Sequence, residues 1–293
     1  MTKFKILAAV GKGGKNNAKD VKLVQALLNV YARTNKNSTL EIDGKSSKEL
    51  EEAIAAFQKD YVNASKPDSR VDVNGATFKK LIEVLSGVFK ALDFTTPTFG
   101  IVTWESEGTE GGRYHSRKLH VPSSSSGLTV GRGYDMRRKS ASKISTDLTS
   151  VGIDAKDSAK LKLSAGLFGE AASQFIIDND LLDFQISADA QKSLFKISYD
   201  HESAEVKRIC EKADVVLAYG KTDWTKLNSS IKDITIDLKF RGDYTGASRK
   251  NIQKTIADND LEAFKKVMLD KTKWPNVPED RFNRRKKYLE NAK

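Results

Sequence analysis

Residues 126–136 read Ser-Gly-Leu-Thr-Val-Gly-Arg-Gly-Tyr-Asp-Met, with glycines at positions 127, 131 and 133. Glycine costs stability inside regular structure unless the backbone must turn sharply or approach another group closely. Thr129 and Asp135 are six residues apart, and an uninterrupted strand would separate them by about 20 Å. If both serve one site, Gly131-Arg132-Gly133 must fold the chain back, with Arg132 exposed at the turn. The stretch therefore predicts a β-hairpin.

Other chemistries match the sequence poorly. Gly131-Arg132-Gly133 does not have the third glycine or the βαβ surroundings of a dinucleotide-binding loop. The chain contains no Gly-x-Ser-x-Gly elbow, and the serines at 123–126 indicate a flexible loop. Three scattered histidines and one cysteine make a poor set of metal ligands. Cys210 lies on an amphipathic segment and is expected to be a buried structural thiol.

Carboxylate chemistry on a glycan is the alternative that remains. Cleavage of a glycosidic bond needs one acid for the leaving oxygen and a second group that handles water or the developing cation. The acid must be partly desolvated to stay protonated near neutrality. Glu107 follows the apolar residues Ile101, Val102 and Trp104, which could desolvate it, and Gly108 could end a helix there. Residues 101–104, however, have strand propensity.

Residues 9–86 form a pattern of three amphipathic helices. Apolar residues spaced three and four apart predict helices over 18–32, 50–61 and 78–85. Ser46 and Glu49 have the spacing of a capping box for the second helix. The motifs in this part of the chain are Val10-Gly11-Lys12-Gly13-Gly14 with Asn17, Asp20-Val21-x-x-Val24-Gln25-x-Leu27-Leu28-Asn29, Leu40-x-Ile42-Asp43-Gly44 and Ala53-Ile54-x-x-Phe57-Gln58. Together they resemble three-helix peptidoglycan-binding domains. Packing residues indicate the fold but do not show that glycan is bound.

The rest of the chain is also mostly helical in pattern. Apolar segments of helical length cover residues 140–151, 160–178, 188–218, 247–257, 261–269 and 280–289, and strand-like sequence is confined mainly to 119–136. We predict a mainly α, α+β protein. A three-helix domain at 1–88 is followed by a linker at 89–98 and by a helical domain with a short β-hairpin at 99–293.

The second domain carries motifs of its own. They are Glu107-Gly108, Tyr114-x-Ser116-Arg117-x-x-His120-x-Pro122, the glycine-rich stretch 126–136, Asp237-Leu238-x-x-Arg241-Gly242-Asp243-Tyr244-Thr245 and Arg281-Phe282-x-x-Arg285. Over about residues 99–290 this set resembles pesticin-type muramidases, which are distant relatives of phage lysozymes. Such enzymes occur in phage endolysins and in secreted antibacterial effectors.

The resemblance implies a lysozyme-like fold that hydrolyses the β-1,4 bond between N-acetylmuramic acid and N-acetylglucosamine. It makes Glu107 the general acid, while Thr129 and Asp135 hold and activate the attacking water. That arrangement would invert the anomeric centre and needs no metal or organic cofactor. Glu105 and Glu110 stay open as alternative acids, and otherwise they are expected to be solvated surface carboxylates.

The charge of the chain is compatible with a polyanionic partner, although charge alone favours a solvated, moderately basic surface. The 293 residues carry a formal net charge of +11, which fits nucleic acid or the bacterial envelope. The basic runs at 137–139 and 284–287 are not interleaved with aromatic residues as in single-strand binding platforms. The two resemblances imply peptidoglycan as the partner, and we expect no nucleic acid. No apolar run approaches the roughly 20 residues of a membrane-spanning helix, and we expect no membrane insertion.

These observations favour a monomeric cell-wall hydrolase. The first residues lack the pattern of a general secretory signal. We therefore expect synthesis in the cytoplasm and action on the cell wall, in the periplasm, after phage-type release or dedicated secretion. An immunity or inhibitor protein and a secretion apparatus are further candidate partners. The alternatives are a non-catalytic cell-wall binding protein and, among enzymes, a lytic transglycosylase.

Overall fold

The computed structural model describes residues 4–89, 96–111 and 115–292. Helices dominate these residues, and the strands form short two-stranded pairs, which confirms the mainly α prediction. The contacts divide the chain into two compact units, one with residues 1–94 and 109–194 and the other with residues 95–108 and 195–293. Residues 90–95 of the predicted linker and Tyr114 of the second motif lie outside the described residues. The boundaries at 88 and 98 stay predictions.

The first unit begins with the predicted three helices. These are α1 (Ala18–Thr34), α2 (Lys48–Tyr61) and α3 (Ala76–Gly87), and β1 (Val10–Gly11) pairs antiparallel with β2 (Arg70–Val71). The predicted apolar positions of α1 and α2 are buried except Tyr61, which is half-buried at the end of α2, and Val24, Ile54 and Phe57 have 0% exposure. The predicted cap is wrong by one residue. Ser47 rather than Ser46 caps α2, and its hydroxyl accepts from the Leu50 amide at 3.2 Å, because the backbone is still extended at Ser47.

The remainder of the first unit contains the hairpin and four helices. Its elements are β3 (Thr129–Val130), β4 (Tyr134–Asp135), α5 (Ala141–Ser150), α6 (Ala155–Leu161), α7 (Gly169–Asp178) and the beginning of α8 (Ala188–Cys210). The segment predicted to be helical over 160–178 is interrupted between α6 and α7. Gly166 and Gly169 have φ angles of +80° and +54° there, a backbone conformation that no α-helix continues through.

Ion pairs join α1 to the end of α7 and to the residues that follow it. Arg33 donates to Asp180 at 2.6 Å and to Asp183 at 2.7 Å, and Lys22 lies 2.8 Å from Asp178. When one guanidinium binds two carboxylates, the arginine side chain is ordered only once and two ion pairs result. Charge pairing therefore supplements packing where the three-helix part meets α7.

Replacing Arg33 with alanine is expected to lower the free energy of unfolding by about 1 kcal/mol, because the pairs are only partly shielded from solvent. Urea denaturation followed by circular dichroism measures this change. Lys19→Ala is the matched control, since both partners of the Lys19–Glu170 pair are highly exposed and no measurable loss is expected. Equal losses of stability in the two variants would contradict a stabilising role of the Arg33 ion pairs.

The second unit is built entirely from helices in the described residues. They are α4 (Ile101–Ser106), the end of α8, α9 (Ala213–Tyr219), α10 (Ser229–Arg241), α11 (Gly246–Ala257), α12 (Leu261–Met268) and α13 (Glu279–Glu290). Trp104, Phe195 and Phe264 belong to its core, and Cys210 is buried as predicted. The segment predicted to be helical over 188–218 is divided into α8 and α9.

Within residues 4–89, 96–111 and 115–292, no helix combines the length and the apolar character needed to cross a bilayer.

Candidate active site

The hairpin brings Thr129 and Asp135 face to face. Thr129 pairs with Asp135 and Val130 with Tyr134 in the antiparallel register of β3 and β4. Gly131 and Gly133 have φ angles of +64° and +86°, so both occupy the left-handed region that the reversal requires. The predicted hairpin is confirmed. Residues that are directly opposite in an antiparallel pair carry their side chains on the same face, so the hydroxyl and the carboxylate are neighbours.

The backbone around Gly127 fixes both side chains. One oxygen of Asp135 accepts from the Gly127 amide at 3.1 Å, and the other accepts from the Arg137 amide at 2.7 Å. The Thr129 hydroxyl donates to the Gly127 carbonyl at 3.2 Å. A Cβ atom at Gly127 would lie 2.3 Å from Asp135 Oδ1, so only glycine allows this close approach.

His120 pairs with Thr129 from a third chain segment. Its backbone exchanges two hydrogen bonds of 2.9 Å with Thr129, which places His120, Thr129 and Asp135 side by side across three chain segments. Burial lowers the pKa of the imidazole, so the ring is neutral near pH 7. His120 belongs to a sequence motif but was not predicted as a site residue. Pairing of the strand-like residues near 120 with the hairpin was the available signal.

Arg132 and Glu110 are not where the sequence placed them. Arg132 was expected at the surface but is 3% exposed, and the Glu110 side chain, expected to be solvated, is 8% exposed. The Glu110 carboxylate accepts from Arg117 at 2.9 Å and from Gln191 at 2.7 Å. Arg132 Nη2 lies 3.5 Å from the same carboxylate. Both predictions of exposure are wrong, because these charged side chains are buried by pairing with residues that are distant in the sequence. Glu110 therefore anchors the hairpin turn and is a poor choice for the acid.

Replacing Glu110 with glutamine is expected to lower the free energy of unfolding by about 2 kcal/mol. Glutamine keeps the shape of the side chain but leaves two buried guanidinium groups without their carboxylate. Chemical denaturation measures the loss. The matched control is Glu105→Gln, since Glu105 is exposed as predicted and its replacement should change stability little. A Glu110→Gln protein as stable as the control would refute the anchoring role.

Glu107 lies at the C-terminal end of the short helix α4. The helix ends at Ser106, and Glu107 is its C-cap residue. Helix rather than strand forms here because Val102, Thr103 and Trp104 are buried together and tertiary packing outweighs their strand propensity. The start of the helix is tight, since a Cβ atom at Gly100 would lie 2.4 Å from the Tyr199 ring.

The Glu107 carboxyl is paired with an arginine and largely withdrawn from solvent. Its side chain is 21% exposed, and Arg281 Nη1 donates to Oε1 at 2.6 Å. Burial raises the pKa of Glu107, and the opposing effect of Arg281 does not cancel it. The group is therefore protonated over a wider pH range than an ordinary glutamate.

A buried charge network holds Arg281. Asp237 is 0% exposed and accepts from Arg281 at 2.6 Å and from Arg285 at 2.6 Å, and Arg285 also donates to Asp243 at 3.0 Å. Burial alone would raise the pKa of Asp237, but Arg285 and Arg281 outweigh it and hold the pKa below its ordinary value. The sequence motifs contained these residues, but their spacing did not indicate the network.

The predicted site residues are thus distributed over the two units. Thr129 and Asp135 meet in the first unit, together with His120, and Glu107 belongs to the second unit. In the part of the chain that the structure describes, no three His, Cys, Asp or Glu side chains are grouped as metal ligands.

Comparison with known proteins places the chain in a family. A family model described as "Domain of unknown function (DUF8812)" matches residues 100–286. The chain belongs to this family. The DUF8812 region contains Glu107, Thr129, Asp135, Asp237 and Arg281, whereas the three-helix part precedes it. No curated protein matches the chain.

Proposed function

We propose that this DUF8812 protein is a peptidoglycan hydrolase that cleaves the β-1,4 bond between N-acetylmuramic acid and N-acetylglucosamine. Glu107 donates a proton to the glycosidic oxygen. Water held by Thr129 and Asp135 attacks the anomeric carbon on the side opposite the leaving oxygen, and Asp135 accepts the proton of this water. The configuration of the anomeric carbon therefore inverts. No metal or organic cofactor takes part in these steps.

The observation that carries the proposal is the register of Thr129 opposite Asp135. The Thr129 hydroxyl uses its proton for the Gly127 carbonyl, which leaves its lone pairs to accept from a water molecule. The carboxylate is held by two backbone amides and needs no rearrangement before it receives a proton. A pre-oriented acceptor of this kind suits the activation of water.

The environment of Glu107 also supports the proposal, because it suits a general acid. A general acid works best when its pKa approaches the working pH, and burial moves the pKa of Glu107 in that direction. The packed helix α4 and the hydrogen bond from Arg281 fix the carboxyl group.

The three-helix part would tether the enzyme to peptidoglycan and raise its effective concentration there. A net charge of +11 favours the anionic envelope. The protein would act on the wall after phage-type release or dedicated secretion.

Purified sacculi test the function. Wild-type protein should release new reducing ends, and Asp135→Asn should reduce their release by about two orders of magnitude while still sedimenting with sacculi. Sedimentation of the wild type without any released fragments would instead indicate a non-catalytic wall-binding protein. Fragments that end in a 1,6-anhydro sugar would indicate a lytic transglycosylase.

A further inference from the structure

An exposed aromatic residue pairs with the segment that binds the Asp135 carboxylate. Phe168 is 49% exposed, although a ring of this size is normally withdrawn from water. Its backbone forms an antiparallel bridge with Gly127, the residue whose amide donates to Asp135 at 3.1 Å. Gly127 therefore links the backbone of Phe168 to the carboxylate that we assign to water activation.

Arg137 makes a second connection between Phe168 and Asp135. Its guanidinium carbon lies 4.2 Å from the centroid of the Phe168 ring, while its amide donates to Asp135 at 2.7 Å. The guanidinium also donates to the Ser125 carbonyl. Arg137 therefore covers one face of the ring, while 49% of the Phe168 surface stays exposed.

The segment that carries Phe168 is fixed rather than loosely attached. The Gly169 amide donates to the Ser126 carbonyl at 3.0 Å. Gly169 has a φ angle of +54°, and a Cβ atom there would lie 2.5 Å from the Ser124 carbonyl oxygen. The turn is thus locked onto the loop before β3, so a ligand that stacks on the ring meets a surface that is already ordered.

We propose that Phe168 and Arg137 form a sugar-binding subsite for an N-acetylhexosamine unit of the glycan strand, next to the unit attacked at Asp135. The inference rests on the proposed function for the identity of the sugar. The apolar C–H face of a pyranose ring matches a flat aromatic surface, and the guanidinium supplies donors for hydroxyl or carbonyl oxygens at its edge. Charge and aromatic surface together suit a neutral or anionic glycan.

The test separates binding from catalysis. Binding of chitotetraose, which contains β-1,4-linked N-acetylhexosamines, is titrated by calorimetry, and KM and kcat are measured with soluble glycan strands from amidase-treated sacculi. Phe168→Ala should weaken binding and raise KM by about tenfold while kcat changes less than about twofold. Phe168→Leu should behave like Phe168→Ala, since it keeps apolar volume without a flat ring, and Phe168→Tyr should restore binding.

Leu163→Ala is the matched control, because Leu163 lies in the same connecting segment and is 63% exposed. It should bind chitotetraose like the wild type. Equal binding by the wild type and both ring-free variants, or binding too weak to detect in all of them, would overturn the subsite. Hydrolysis by the wild type with an unchanged KM in Phe168→Leu would refute the subsite alone. Ring-dependent binding without any hydrolysis would refute the hydrolase and support the subsite.

Discussion

Replacing Glu107 with glutamine is expected to reduce the release of reducing ends from sacculi by about 10³-fold. The amide is nearly isosteric and can still accept the hydrogen bond from Arg281, but it has no proton to give to the leaving oxygen. Reducing-end assays on purified sacculi measure the rate, and sedimentation of the variant with sacculi shows that wall binding is retained.

Glu105→Gln provides the control for this experiment. Glu105 is two residues away and exposed, so its replacement removes one nearby charge and should leave the rate within about twofold. Retained hydrolysis by Glu107→Gln, or loss of hydrolysis by Glu105→Gln, would assign the acid to another residue.

The pH dependence of the hydrolysis rate of the wild type also tests Glu107 as the acid. Since burial raises the pKa of Glu107, the active protonated form persists above the pH at which an ordinary glutamate ionises. The rate should therefore fall as the pH rises through this raised pKa. A rate that increases steadily across that range would be inconsistent with a carboxylic acid as the proton donor.

Replacing Asp237 with asparagine is expected to lower the free energy of unfolding by about 4 kcal/mol. Asp237 is fully buried between Arg281 and Arg285, and the loss of its charge leaves two desolvated cations undercompensated. Chemical denaturation at neutral pH measures the loss. Asp280→Asn is the control, because the Asp280–Arg284 pair is largely exposed and should contribute little.

The pH dependence of stability gives an independent check on Asp237. Its pKa is lowered in the folded protein, so its stabilising contribution is present above the unfolded-state pKa and is lost as the pH falls through the folded-state value. The difference in stability between wild type and Asp237→Asn should therefore shrink on acidification. A difference that is constant with pH would show that the variant acts through packing rather than charge.

Local pattern predicted much of the fold. The spacing of Val24 and Leu28, and of Ile54 and Phe57, indicated α1 and α2, and the glycines at 131 and 133 indicated the hairpin. Helix α10 escaped prediction because Ile234, Thr235, Ile236, Asp237 and Leu238 are all buried, and a helix that is buried on several faces has no single apolar stripe.

Charge placement was much less predictable than the helices. Glu110 and Arg132 are 22 residues apart along the chain, and Glu107 and Arg281 are 174 apart. No local spacing rule reports such pairs, because they depend on tertiary packing. The sequence therefore indicated which residue types matter for chemistry, while their partners and burial became visible only in the folded chain.

Digestion of purified sacculi in water enriched in ¹⁸O is the most direct test of the proposed chemistry. The released fragments are reduced with borohydride at once and weighed by mass spectrometry. We predict one ¹⁸O atom at C1 of each new terminal N-acetylmuramic acid for the wild type, and a loss of about 10³-fold in labelled fragments for Glu107→Gln. Unlabelled 1,6-anhydro ends, or intact sacculi with the wild type, would contradict water attack on a glycosidic bond.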